Sequence, residues 1–543
     1  MAADLAITGA TVRTMDPATP LSDAVAVGAG RILAVGAEEV RRVAGPGTEV
    51  LHLPGRLVTP GFQDAHVHPT WGGLQRLRCD LSDLATREEY RQGVARYAAG
   101  HPEAGWILGG GWSMAAFPGG TPRREDLDDL FPDRPVFLPN RDGHGAWVNT
   151  RALELAGIEA ATPDPADGRI ERDLDGSPTG TLHEGAMDLV ERLIPEPKPE
   201  EWETAVLEAQ RYLHSLGITA WQDAMVEPPH LRMYSALDER GLLTARVVAA
   251  LWWDRTRGQE QVEELLDHRN SSTGSVRATT VKIMLDGVVE NFTASMLEPY
   301  LDAKGRPTAN RGIPFVEPAT LPPVVTRLDR EGFQVHFHAI GDGAVRAALD
   351  AVEAAVRANG RHDARHHIAH LQVVHPDDVP RFGRLGIVAN AQALWACHEP
   401  QMDDLTIPFL GPERTSHQYP FGSLLRAGAR VAMGSDWSVS TPDPFKQMEA
   451  AVTRVDPDHR GGEPFLPEER IGLDDALTAF TRGSAFVNGL DGETGTLAPG
   501  MLADLVVVDR DIGAPDAGPI GDSRALLIMV AGNVVHEERA LAR

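Results

Sequence analysis

The sequence predicts an α/β architecture: a (β/α)8 TIM barrel with a small β-sandwich formed by both termini and an inserted subdomain after the first barrel strand. Three observations lead there. Strand-like apolar runs alternate with helical stretches through the middle of the chain, a pattern that builds parallel sheets. Both flanks consist instead of short β-rich runs punctuated by Gly and Pro. One gap between runs, from about residue 69 to 216, is far too long for a simple strand-to-helix connection.

At the N-terminus the β-rich runs are Asp4 to Gly9, Ala24 to Gly28 and Arg31 to Gly36. At the C-terminus Leu505-Val506-Val507-Val508-Asp509 reads as a buried strand, and Val530-Ala531-Gly532-Asn533-Val534 as a turn-linked pair. Either set alone would be a marginal sheet. Paired, they make one composite domain from residues 1–57 and 490–543, with the barrel over 58–489.

The expected barrel strands are Leu57 to His68, Gly217 to Asp223, Ala245 to Trp253, Thr280 to Asp286, Gln334 to His338, His367 to Gln372, Gly386 to Gln392 and Arg430 to Asp436. The span from His66 to Asp436 exceeds the roughly 250 residues of a typical barrel. The surplus falls in residues 69–216, expected to form a subdomain over the mouth, because the loops after the strands build that face. Gly109 to Gly111 and Gly119-Gly120 are its expected hinges.

Composition narrows the function. A 543-residue chain with 42% hydrophobic residues has ample core for this architecture. Its 78 acidic against 51 basic residues give a formal charge of −27, which argues against nucleic acid or an anionic membrane surface as partner. Cys79 and Cys397 stand far apart in no metal-binding or redox motif. The N-terminal residues lack a leader pattern and no run reaches the roughly 18 apolar residues of a membrane span. The chain therefore reads as cytoplasmic, acting on a small-molecule substrate; a homodimer is compatible with the sequence without being fixed by it.

Chemistry concentrates at strand ends. Pro60-Gly61-Phe62-Gln63-Asp64-Ala65-His66-Val67-His68 closes on two histidines one residue apart, which alternation places on one side of a strand, within reach of one metal ion. Val335-His336-Phe337-His338, Ile368-Ala369-His370 and Val431-Ala432-Met433-Gly434-Ser435-Asp436 repeat the form of an apolar run ending on a polar ligand. In the order HxH, His, His, Asp, these elements resemble the amidohydrolase superfamily, whose metal-centred barrels hydrolyse C–N and related bonds. Further runs resemble its YtcJ-like branch, which includes N-substituted formamide deformylases. They are Gly109-Gly110-Gly111-Trp112, Asp142-Gly143-His144-Gly145, Gly180-Thr181-Leu182-His183-Glu184, Lys282-Ile283-Met284-Leu285-Asp286-Gly287, His338-Ala339-Ile340-Gly341-Asp342 and Gly434-Ser435-Asp436-Trp437.

The resemblance implies a metal-dependent hydrolase with His66, His68, His338, His370 and Asp436 as ligands, a donor set that suits zinc. Asp436 would also be the catalytic proton shuttle. Lys282 stands where binuclear relatives carry a carbamylated lysine bridging two metals; the plain alternative is a buried lysine paired with Asp286 or Asp436. His338 is preferred to His336 because it begins the His-Ala-Ile-Gly-Asp element, which leaves His336 near the substrate or behind the ligands. His144 would bind a substrate carbonyl or order the insert. Trp112 and Trp253, with Trp147, Trp395 and Trp437, either line an apolar pocket or pack. Where relatives usually have Glu before the sixth-strand histidine, this chain has Ala369, expected by alternation to point away from the metal. Three classes stay open: hydrolysis of N-formyl or N-acyl amides, deamination or cyclic-amide hydrolysis on the same scaffold, and a non-enzymatic dihydropyrimidinase-like role.

Overall fold

A computed structural model describes residues 2–272 and 274–539. Its centre is a sheet of eight parallel strands in chain order: β1 (Phe62–Val67), β2 (Ile218–Val226), β3 (Arg246–Trp252), β4 (Val276–Met284), β5 (Gln334–Ala339), β6 (His367–His370), β7 (Val388–Ala391) and β8 (Val431–Met433). Each strand pairs with the next. The sheet then curls back on itself: Asp436 N–H donates to the His66 carbonyl at 2.8 Å and His68 N–H to the Trp437 carbonyl at 2.7 Å. Each of the eight expected runs thus contributes a barrel strand. Val335 and Phe337 of β5 and Val281 and Ile283 of β4 face the surrounding helices in the main apolar core, while their neighbours in sequence face inward.

The first expected strand is in fact two. Leu57–Pro60 pairs antiparallel with Leu505–Val508 in the terminal sheet, and only Phe62–Val67 belongs to the barrel. The break falls at Pro60-Gly61: Pro60 has no N–H to give to a ladder, and Gly61 turns its own N–H to the Asp504 carbonyl at 2.9 Å. A side chain at position 61 would run into Thr219 of β2.

The two termini meet in one hydrogen-bonded sheet of eight strands, to which the N-terminal part contributes Leu5–Arg13, Leu21–Gly28, Arg31–Val35, Glu49–His52 and Leu57–Pro60. Leu505–Val508 shows why a strand can be apolar throughout: Leu505 and Val507 enter the core of the terminal sheet, Val506 and Val508 that of the barrel. Between barrel strands one and two, six further strands from Cys79–Asp80 to Pro178–Glu184 form a separate sheet with its own apolar cores. The helix Arg87–Gly100 starts there on a reciprocal cap, Glu89 N–H to Thr86 Oγ1 at 3.3 Å and Thr86 N–H to Glu89 Oε2 at 2.9 Å. The helix Pro199–Ser215 that precedes β2 is already part of the barrel wall, burying Ala205, Val206, Ala209 and Leu213 in the main core. Among the described residues no helix is long and apolar enough to cross a membrane.

Helices Pro69–Leu77 and Pro199–Ser215 touch backbone to backbone at Gly73, where an added methyl would meet the Ala205 carbonyl. Helix propensity alone favours Gly73→Ala by about 1 kcal/mol, but overpacking against rigid backbone costs roughly 1–3 kcal/mol. Gly73→Ala is therefore expected to lower the midpoint of denaturant unfolding; a raised midpoint would show that the two helices can separate at no cost.

Candidate metal centre

His66 and His68, at the end of β1, reach the same atom as alternation predicts. Their Nε2 atoms lie 3.1 and 3.0 Å from Asp436 Oδ1. That oxygen nevertheless has no hydrogen-bond partner: the three groups converge on a common point rather than bonding one another. Asp436 follows β8 in a left-handed conformation, φ 54°.

His370 reaches the same point by a different route. Regular alternation would give His367 and Ala369 the inner face of β6, and His367 is indeed inside, bonded to Gln222 of β2 and Asn390 of β7. Ala369 accordingly faces the barrel interior, against the expectation that it points away. His370 joins the centre because β6 ends in two left-handed residues, His370 at φ 77° and Leu371 at φ 55°. Its N–H is held by Gln392 Oε1 at 2.6 Å and its ring stacks on Trp395 with centroids 5.4 Å apart. Nδ1 of His370, 3.9 Å from Asp436 Oδ2, is buried without a partner.

His338 lies beside these groups, its ring centroid 4.5 Å from that of His370. Its Nε2 is also buried without a hydrogen bond, 3.6 Å from Asp286 Oδ1. Asp286 is occupied elsewhere, accepting the N–H groups of Ile340, Gly341 and Ser295 at 3.0, 2.9 and 2.8 Å. Lys282 of β4 lies buried in register with His336 and forms no ion pair within 4 Å among the described residues. Burial pulls its ammonium down to about 7, against the attraction of Asp436.

Electrostatics prepare these groups for a cation. Burial, reinforced by neighbouring positive charge, holds His66, His338 and His370 well below the usual imidazole range, so they present neutral nitrogens. Burial also disfavours the Asp436 anion, but His66, His68 and His370 outweigh it and keep the carboxyl well below its ordinary value. Ligand atoms of His66, His370 and Asp436 all lie within 4.8 Å of one another. Two neutral nitrogens and an anionic oxygen within that distance, with His370 Nδ1 and Asp436 Oδ1 buried and unpartnered, fit a divalent metal ion.

A cavity of about 1170 Å³ opens above this centre and is lined by His66, His68, Lys282, His338, His370 and Asp436. His144 enters it from the insert, Nδ1 2.8 Å from Glu184 Oε2. Burial opposes a charge on this ring, yet Glu184 lifts it to about 9. Of the alternatives open for His336, Trp112 and Trp253, the buried one is what the fold builds, and none of the three lines the cavity as a substrate-binding residue would. His336 is fully buried behind the centre, its Nε2 2.8 Å from His66 Nδ1, and does not line the cavity. Trp112 and Trp253 are packing residues: Trp112 stacks edge-on with Phe117 and Trp147 and gives its N–H to the Leu138 carbonyl at 2.7 Å, and Trp253 lies in the barrel core.

The aromatic wall comes instead from Trp71, Trp202, Trp252 and Trp395. Trp71, Trp202 and His230 meet edge to face with centroids 5.2, 4.7 and 5.9 Å apart. Of the five tryptophans weighed from sequence, Trp395 alone lines the cavity. Trp71 carried a signal, standing three residues beyond His68 in the first turns of the following helix; Trp202 carried none, being distant in sequence from every motif.

The amidohydrolase family model matches residues 49–536. The chain is 34% identical over 94% of its length to Protein LONG AFTER FAR-RED 3 of Arabidopsis thaliana, covering 88% of that protein. It is 30% identical over 98% of its length to the N-substituted formamide deformylase of Arthrobacter pascens, covering 98% of it. An uncharacterized metal-dependent hydrolase of Pyrococcus furiosus superposes with TM-score 0.71 at 26% identity, over 93% of this chain and 99% of that one. A metal-ready cluster at the mouth of a parallel barrel and a family match over nearly the whole length together establish that this chain belongs to the amidohydrolase family, in its YtcJ-like branch, and is a hydrolase.

Proposed function

We propose that the enzyme hydrolyses the C–N bond of small N-substituted amides, N-formyl or N-acyl, yielding a carboxylic acid and an amine. The observation carrying this reading is the convergence of unpartnered ligand atoms at the floor of a cavity whose wall is aromatic. His66, His68, His338, His370 and Asp436 would hold zinc, which when bound makes water nucleophilic near neutral pH and polarises a carbonyl. Asp436 would accept the proton of the attacking water and deliver it to the departing amine nitrogen. His144, kept protonated by Glu184, would donate a hydrogen bond to the substrate carbonyl oxygen. Trp71, Trp202 and His230 would receive the substituent on nitrogen. In this reading the division of the chain is the one expected above: 1–57 with 490–543, the barrel over 58–489 and the insert within 69–216.

Lys282 supports a second metal. A burial that brings its amine to about 7 leaves much of it neutral at physiological pH, and only a neutral amine can add carbon dioxide to become an anionic carbamate. Protein grown with zinc and bicarbonate should then hold two ions per chain, and Lys282→Ala one. A single ion in both forms would remove the bridging role.

Asp436→Asn preserves size but cannot take up a proton, so turnover should fall at least ~10²-fold. Zinc content measured on the same sample separates loss of the shuttle from loss of the metal; near-normal turnover would rule out the assignment.

Substrate choice is tested with N-benzylformamide, N-methylformamide, an N-acetyl amide, a cyclic amide and an aminopurine. Formate and benzylamine are the expected products, and Trp71→Ala or Trp202→Ala should raise KM for the benzyl compound on the order of tenfold, as loss of a buried aromatic contact does. The methyl compound should be little affected. Activity confined to the cyclic amide or the aminopurine would replace this reading with ring opening or deamination.

A further inference from the structure

The seam between β8 and β1 differs from the other seven joins of the barrel. Those are ladders of paired residues; across the seam no such ladder forms among the described residues. The join is made by residues just past the end of β8, and they are the residues that carry the metal-binding groups. Asp436 N–H and His68 N–H each bond across it, to the carbonyls of His66 and Trp437.

One further group spans the seam. Asp64, fully buried on β1, accepts the N–H of His66 and the N–H of Ser435 on the same oxygen, Oδ1, both at 3.0 Å. A single atom therefore ties the backbone of one expected ligand to the backbone immediately before another, across two segments distant in sequence. Its second oxygen, Oδ2, is buried without a partner. A carboxyl group in a closed interior is costly, and the groups that hold this one are the two amides and the side chain of Ser435.

We propose that Asp64 is a positioning residue which sets the separation of His66 and Asp436, and with it the affinity and geometry of the metal centre. It touches neither metal nor substrate. The inference rests on the metal reading above, because it concerns how the chain presents its ligands to that ion. Loss of groups that orient metal ligands typically costs 10–100-fold in metal affinity, and the same range is expected here.

The test compares the full-length wild type with Asp64→Asn, Asp64→Ala and Asp64→Glu. Asn keeps an oxygen able to accept both N–H groups; Ala removes it; Glu displaces it by one methylene. Zinc affinity is read by competition with a chromogenic chelator, and ligand geometry from the visible absorption bands of cobalt-substituted protein. Asp64→Asn should stay within about threefold of wild type with unchanged bands, while Ala and Glu lose 10–100-fold and shift the bands. A purely structural role would lower thermal stability in the metal-free proteins yet leave zinc affinity and cobalt bands of the folded protein unchanged, and that result overturns the proposal. If the Ala variant does not fold, the Asn and Glu pair decides: Glu binding zinc as tightly as wild type overturns it. A wild-type chain that binds no zinc would overturn the metal reading and this inference together, whereas tight wild-type binding with an indifferent Asp64→Ala overturns this inference alone.

Discussion

The meeting of β1 with the segment that follows β8 is the contact on which the centre depends. His66 and Asp436 stand at opposite ends of the barrel sequence, and no local preference brings them within 3.1 Å. Closing so long a loop is less expensive than its length suggests, since the entropic cost rises only by about 0.6 kcal/mol for each doubling. The larger demand is geometric. Seven intervening ladders must each hold register, because a slip of one residue would exchange inner for outer faces on that strand. Lys282, His336 and His367 line up across β4, β5 and β6 because those registers hold.

The barrel interior beneath the centre is polar, and hydrogen bonds make that tolerable. Thr280 donates to Gln334 Oε1 at 2.7 Å, Gln222 to the same oxygen at 3.2 Å, and Gln222 Oε1 in turn meets His367 Nε2 at 3.0 Å. His367 meets Asn390, Asn390 Oδ1 accepts from Gln392, and Gln392 Oε1 holds the N–H of His370. The network thus crosses from β4 to the residue that turns into the site. Left-handed φ is unfavourable for a histidine; the buried hydrogen bond from its N–H to Gln392 and the stacking on Trp395 favour that conformation at His370.

The eight strands and the HxH, His, His, Asp order were legible because both follow from short-range periodicity: apolar alternation marks the strand, and a polar residue at its end marks the open face of the barrel. Three features were not. The break at Gly61 depends on Asp504 and Thr219, both far away in sequence. The placement of Ala369 and His370 depends on two left-handed residues that period-two reading cannot represent. Tryptophan carries no periodic signature that distinguishes a packed ring from a cavity wall, so Trp112 in its Gly-rich motif drew attention that belonged to Trp71 and Trp202. The terminal strands could be read locally, but not their pairing into one hydrogen-bonded sheet of eight.

The insert is bonded to the barrel beside the site. Gly109 and Gly110, expected as hinges, sit within the strand Ile107–Gly110, where the backbones of Cys79 and Pro139 occupy the space a side chain would need. Their smallness serves close packing rather than motion. At the opposite edge of the insert, Glu184 receives the Thr293 hydroxyl at 2.6 Å, and Asn291 donates to the His144 carbonyl at 2.8 Å. Both partners belong to the segment after β4, so the insert is bonded to the barrel through the same pair, His144 and Glu184, that faces the cavity. A movement of the insert large enough to open the mouth would break those buried bonds and leave polar groups without partners.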